Sequence, residues 1–216
     1  HQSRYATIAT NAWKGIRNLP ISAQEGMLLS LRAMQSPVAN QVIKSTIHSK
    51  NDELRLVAFS MLQGQSDELQ RNIHQLRLNL KNEELTDIEK ANIEKGLAWY
   101  YWQMAHLDLV EGKMRKESLE NARLSAESAL KHLDTDPNLL LLLGKIEHEL
   151  YDFKLSQEHL RTAEQYAAPR IRVAYYQAKN AYLRRDFDEV KRIIKSHPEL
   201  AMDPGVAPAY QYWSAA

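Results

Sequence analysis

The stretch Tyr151-Asp152-Phe153, followed by Ser156, Leu160 and Ala163, recurs 34 residues later as Arg185-Asp186-Phe187, followed by Val190, Ile194 and His197. Moving back by the same interval from Ser156 and Ala163 reaches Ala122 and Ala129, and Gly144 corresponds to Ala178 ahead and to Val110 behind. A period of this length marks a repeated supersecondary unit that cannot hide its apolar faces alone and has to lean on its neighbours. Fold class follows from that constraint before any single helix is assigned.

The composition agrees. Among 216 residues there are only 7 glycines and 7 prolines, and the prolines stand singly, so long uninterrupted stretches read as helix. Lys plus Arg number 28 against 27 for Asp plus Glu, a net charge of +1 that disfavours a globally basic nucleic-acid binder. With no cysteine, disulfides, zinc ribbons and thiol catalysis are excluded. The longest aliphatic run, Leu139 to Leu143, is far short of the roughly 20 apolar residues of a membrane span.

Ahead of the repeats, apolar residues at 54, 57, 58, 61 and 62 form one stripe of a helix, with Asp52 as the expected N-cap. Comparable stripes run from Gln24 to Met34, from Pro37 to His48 and from Asp67 to Leu80, so the first third is expected to hold four helices, with a connection at Gln63-Gly64-Gln65-Ser66. The polar stretch Lys81 to Asp87 separates the two patterns and places the expected boundary between domains 1–82 and 83–216. Beyond Pro204, the segment to Trp213 reads as a further first helix, either capping the stack through Tyr210 and Trp213 or continuing it.

Thirty-four residues is the length of a tetratricopeptide (TPR) hairpin, and the back half resembles that family residue by residue. Gly144 and Ala178 are its small residues at the helix crossing, Phe153 and Phe187 its turn aromatics, Ala122 and Ala163 its small residues on the second helix. Pro137 and Pro169 open following units. Ser156 and Val190 stand where Ala is usual, His197 replaces the last small residue, and Leu119 takes the aromatic's place in the first unit. The front third is HEAT-like in its paired helices and its Asp52 and Arg55 before an aliphatic run. The resemblance implies an all-α, right-handed α-solenoid of helical hairpins, with a HEAT-like block (1–82) and about three TPR units with a C-terminal partial or capping helix (83–216).

In such an array the concave surface belongs to the first helix of each unit. The expected partner-binding groove therefore holds Asn138, Leu141, Lys145, His148 and Glu149, then Arg172, Tyr175, Lys179, Tyr182 and Leu183. The Lys and Asn combination with which some TPR proteins clamp a terminal carboxylate is not carried over, because Leu107 and Glu111 occupy the corresponding places. A basic face is expected at Arg170, Arg184, Arg185, Lys191, Arg192 and Lys195, either simply solvated or turned to an acidic protein, anionic lipid or RNA.

Residues that could carry chemistry are scarce. There is no His-Glu-x-x-His, no Glu-x-x-His, no Gly-x-Ser-x-Gly and no phosphate-binding glycine loop, so no catalytic residue, metal site or cofactor is expected. Glu83, Glu84, Asp87 and Glu89 read as the acidic start of a helix. Trp99-Tyr100-Tyr101-Trp102 cover the whole circumference of a helix, so at least one ring faces away from the main stripe, to fill a junction between subdomains or to anchor a partner.

The order of a short HEAT-like block before TPR units resembles the PelE-like TPR proteins of the bacterial Pel exopolysaccharide machinery, on the strength of Asp52 to Leu62 and the units after Thr86. That resemblance implies a non-catalytic scaffold at the cytoplasmic face of the bacterial inner membrane. Its partners would be other Pel components, among them the cyclic-di-GMP receptor PelD. Membrane-spanning helices would precede His1, with Tyr5, Ile8, Trp13 and Ile16 as an amphipathic lead-in. The competing expectation is an RNA-associated helical-repeat protein using the basic face 170–195.

Overall fold

A computed structural model describes residues 11–202, which fold into helices joined by short turns, with no strand among them. After helical residues 11–16 come α1 (Ile21–Ala33), α2 (Pro37–Thr46), α3 (Asp52–Asn79), α4 (Asp87–His106), α5 (Gly112–Leu130), α6 (Pro137–Glu149), α7 (Phe153–Gln165), α8 (Arg170–Leu183) and α9 (Phe187–Ser196), closed by a 3-10 turn at Pro198–Met202. The expected all-α helical-repeat architecture is the one observed. Tyr5, Ile8, Tyr210 and Trp213 lie outside the described residues.

The chain forms two compact units. Among the described residues, one comprises 11–79 with Tyr100–Ser118; the other comprises Leu80–Trp99 with 119–202. This division is discontinuous, whereas the sequence pattern points to a single cut after residue 82. Helices α4 and α5 each contribute to both units, and a polar turn in the sequence says nothing about which half of a long helix packs where.

In the first unit Leu28, Ile43, Leu54, Ala58 and Met61 make the core. Ile16 is buried against Val42 with Trp13 beside it, so these two residues of the expected lead-in belong to the packing of this unit. Buried Asn40 fixes register over long separations in sequence. Its Nδ2 donates to Oε1 of Gln65 at 2.9 Å and to the Leu107 carbonyl at 2.8 Å. Lys44 pairs with Asp108 at 2.9 Å and with Glu111 at 2.6 Å, and Gln41 also bonds Asp108.

Two expectations for this unit are corrected. Helix α3 runs unbroken through Gly64, because Met61, Gln65, Leu69 and Ile73 recur every four residues and keep one buried face continuous across the supposed turn. One glycine in a helix costs only about 1 kcal/mol, too little to break 28 residues. The helix cap is Asn51, not Asp52: its Oδ1 accepts from the Leu54 amide at 3.0 Å, while Asp52 pairs with Arg55 at 2.7 Å.

The second unit shows the repeat in its backbone. Helix α6 ends at Leu150 (φ −82°, ψ −2°) and α8 at Arg184 (φ −79°, ψ −3°). Each is followed by a left-handed residue, Tyr151 (φ 65°) and Arg185 (φ 62°). The next amide then bonds back across the helix end, Asp152 to Glu147 O and Asp186 to Ala181 O, both at 2.9 Å. Both aspartates go on to cap the second helix, accepting from Leu155 and Glu189 amides. Phe153 and Phe187 thus occupy the same N1 position, half-buried and exposed respectively.

Within this unit α7 packs on both α6 and α8, α9 packs on α8, and α6 also touches α8, the neighbour pattern of stacked hairpins. Leu140, Leu141, Leu160, Ala163, Ala168, Val173 and Tyr176 form the main core. At Gly144 a Cβ would stand 2.7 Å from Cγ of Leu160, so the close helix approach read from the repeat is real. The register does not extend unchanged to the first hairpin. Its turn falls at 107–111, where Asp108 adopts positive φ as does Gly112 at the start of α5, so Val110 is not helical and Leu119 lies buried inside α5. Only Ala122 and Ala129 on α5 keep the expected fully buried positions.

Candidate functional site

Helix α6 is buried from Leu139 through His148, so its face toward α8 differs from the open groove read from the sequence. Leu141 belongs to the core, and His148 bonds Oδ1 of Asn180 through Nδ1 at 2.6 Å with its ring edge-on to Tyr176. Both residues are corrected as lining positions, because each is buried and held by its neighbours instead of facing open space. Asn138, Arg172 and Tyr182 are exposed, and Tyr175 and Lys179 half-buried.

The two lysines hold a special place. Lys145 and Lys179 sit at equivalent positions of successive repeats and converge on one ring. Lys145 Nζ lies 5.6 Å from the centre of Tyr176 and 5.9 Å from that of Trp99. Lys179 Nζ lies 5.1 Å from Tyr176 and 5.0 Å from Tyr175, the two tyrosines meeting edge to face. Ring quadrupoles attract such cations, more so when desolvated.

Lys145 is only 8% exposed. Burial, reinforced by the charge of Arg172 and opposed by that of Glu149, pulls its ammonium down to about 8. Lys179 is lowered as well, by burial against the counteracting charge of Glu149. The sum of the named charges, Lys145, Lys179 and Arg172 against Glu149, remains positive. Trp99 is 39% exposed and leaves an aromatic rim open to solvent.

Beneath this face runs a buried polar chain. Asn180 donates to Ser156 Oγ at 2.8 Å, and Ser156 donates to the Gly144 carbonyl at 2.6 Å. Its members are tied to each other and held out of solvent. Nearby, fully buried Glu147 meets Nδ1 of His159 at 2.9 Å, while its other oxygen has no hydrogen-bond partner among the described residues. Burial raises the Glu147 carboxyl against the opposing pull of His159, and the bond to Glu147 raises the His159 imidazole against the opposing effect of burial. The pair therefore keeps a shared proton to higher pH than free groups would.

Elsewhere the expected candidates lie apart from this site. Glu89 and Thr86 form a reciprocal cap: the Glu89 carboxylate accepts from the Thr86 amide at 2.8 Å, and the Glu89 amide donates to Thr86 Oγ1 at 3.3 Å. In the aromatic cluster Trp102 is buried and stacks on His106 at 4.2 Å, whereas Trp99 turns to the lysines. Of the basic-face residues, Arg170, Arg184, Arg185, Arg192 and Lys195 are exposed and Lys191 half-buried, and Arg192 pairs with Glu189. No group of three or more acidic or histidine side chains among the described residues is placed to hold a metal ion, and no described helix is long and apolar enough to cross a membrane.

Sequence reasoning misses Tyr176, Asn180 and the Glu147–His159 pair, whereas Trp99 is the outward ring expected of the aromatic cluster. The interval between Lys145 and Lys179 is visible in the sequence, but the ring they share is not, since no spacing along the chain marks Tyr176 as their common neighbour. No protein-family model, curated protein or solved structure matches the chain.

Proposed function

We propose that this chain is a non-catalytic docking platform that binds protein partners on the lysine and aromatic face of its second unit. The single observation that carries this reading is the convergence of Lys145 and Lys179 on Tyr176, with exposed Trp99 against Lys145 and exposed Asn138 and Tyr182 two turns and one turn away along the same two helices. Stacked hairpins supply a rigid support, and a cluster of aromatic and cationic side chains is the usual composition of an interface anchor. Of the polar groups that could serve catalysis, Glu147 and Ser156 are buried, and half-buried His159 is bonded to Glu147.

In the Pel-like reading the platform helps assemble an exopolysaccharide synthase complex on the cytoplasmic side of a bacterial inner membrane, with a PelD-like receptor as a direct partner. The test is co-purification of the tagged chain with such a receptor domain. Replacing exposed Asn138 and Tyr182 together by Ala is expected to reduce recovery at least several-fold while leaving the far-UV circular dichroism and melting temperature unchanged. Full recovery with the double variant removes this face from the interface.

A further inference from the structure

Helix α1 is held to the first unit by one side only. Gln24 and Leu28 are buried and Leu31 half-buried, with Leu28 in the core beside Ile43 and Leu54. On the opposite side Ser22, Gly26, Leu29 and Ala33 are all exposed, Leu29 to 59%. No heavy atom lies within 4 Å of the place a Cβ on Gly26 would take, so the middle of this face is open. The intervals of four, three and four residues are those of the a and d positions along which one helix packs on another. Met27 and Met34, exposed on the same helix and at its cap, extend an apolar surface of the kind that marks an association site.

The charges beside this face select what covers it. Between residues 19 and 36 there are two charged side chains, Glu25 and Arg32, seven residues apart on one edge of the seam. Neither has an ion-pair partner among the described residues. A two-fold axis reverses the second helix and brings the same edge of each copy together. With Gly26 facing Leu29 and Ser22 facing Ala33 across that axis, Glu25 of each copy falls beside Arg32 of the other, so opposite charges meet twice. The same register seats each leucine over a glycine. A parallel pair sets Glu25 against Ser30 and uses neither charge, and a lipid surface finds little to bury at the centre, where the side chains are those of Ser22, Gly26 and Ala33.

We infer that α1 is the contact helix of an antiparallel homodimer, pairing with α1 of a second copy through Ser22, Gly26, Leu29 and Ala33 and through reciprocal Glu25–Arg32 ion pairs. The surface lies on the first unit, so the inference goes beyond the docking reading and neither depends on the other. Thirteen residues make a small interface, and small interfaces belong to weak, transient contacts. The dimer is therefore expected at high concentration and weakens with salt, which screens exposed ion pairs.

The test is sedimentation equilibrium of the full chain at low ionic strength, from about 10 µM to about 1 mM, the range in which such weak contacts form. The wild type is expected to pass from monomer to dimer across it. Arg32→Glu and Glu25→Arg each set like charges together and should weaken the dimer about 5-fold or more, whereas an equimolar mixture of the two variants should associate again as a heterodimer. Leu29→Gln, which leaves the buried side of α1 untouched, should abolish association and keeps the test if Glu25→Arg lowers the helicity seen by circular dichroism. Lys195→Glu, exposed on α9, should change nothing.

A chain that stays monomeric throughout this range overturns the inference. Association that survives Leu29→Gln overturns it by placing the contact on another surface. A mixture of the two charge variants that pairs no better than either alone refutes the antiparallel register.

Discussion

At the scale of single residues, Gly144 and Lys145 are adjacent and do opposite things. Gly144 matters for the side chain it lacks: Leu160 fills the space where a Cβ would go, with Cγ at 2.7 Å and Cδ2 at 2.8 Å, and Ser156 bonds the Gly144 carbonyl. Gly144→Ala gains helix propensity but forces fully buried Leu160 aside, so it should destabilise by about 1–3 kcal/mol. An unchanged or raised urea midpoint would show that the crossing tolerates the methyl group. Lys145, by contrast, is a cost the fold tolerates. With its ammonium near 8 rather than 10.5, Lys145→Met should raise stability at neutral pH by an amount on the order of 1–3 kcal/mol. A loss of stability in calorimetry would mean that the ring contacts outweigh desolvation.

Elements are legible in the sequence where the signal is local, and obscure where it is cooperative. The turn Tyr151-Asp152-Phe153 and its counterpart at 185–187 can be read because a left-handed residue, a capping Asp and an N1 aromatic depend on neighbours in sequence. Asp152→Ala should accordingly cost about 0.5–2 kcal/mol by loss of the bond to the Leu155 amide. A cost near zero in thermal melts would assign the turn's stability to the backbone alone. Helix α3 defeats the same reading because Gly64 and its polar neighbours look like a connection one residue at a time. No heavy atom lies within 4 Å of the place an added methyl group at Gly64 would take, so Gly64→Ala should stabilise by about 0.4–1 kcal/mol. Destabilisation would argue for a hinge at that point.

For the molecule as a whole, stability should follow pH through a few buried or paired groups. Glu111 is lowered by its bond to Lys44; Asp136 is raised by burial but brought below its usual value by Lys95 and the backbone amides of Leu139 and Asn138. Lowered carboxyls contribute stability above their unfolded values of 4.5 and 3.8, and that contribution is lost as pH falls through the folded values. Glu147 and His159 are raised, so their contribution is full below 4.5 and 6.5 and disappears as pH rises through their folded values. Lys145 has the reverse sign for a base, and stability recovers between about 8 and 10.5. The melting temperature should therefore peak on the acid side of neutrality, sag toward weak alkali and rise again. Glu147→Gln should flatten the sag and Lys145→Met the recovery, and a monotonic profile in the wild type would refute the assignment.

The linear order of residues is enough for the helical-repeat class, the 34-residue period of the last two hairpins, the caps and turns that join them, and the glycine at their crossing. Each is a matter of backbone preference or of burial on one helix, and such preferences are written locally. It takes the folded chain to show that Trp99 reaches Lys145 from a distant helix, that two lysines share Tyr176, that Glu147 is shut in with His159, and that the first hairpin turns at 107–111. Those features depend on which way a side chain points and on how much water its surroundings exclude. Both are set by atoms brought in from far along the chain, and no periodicity records them.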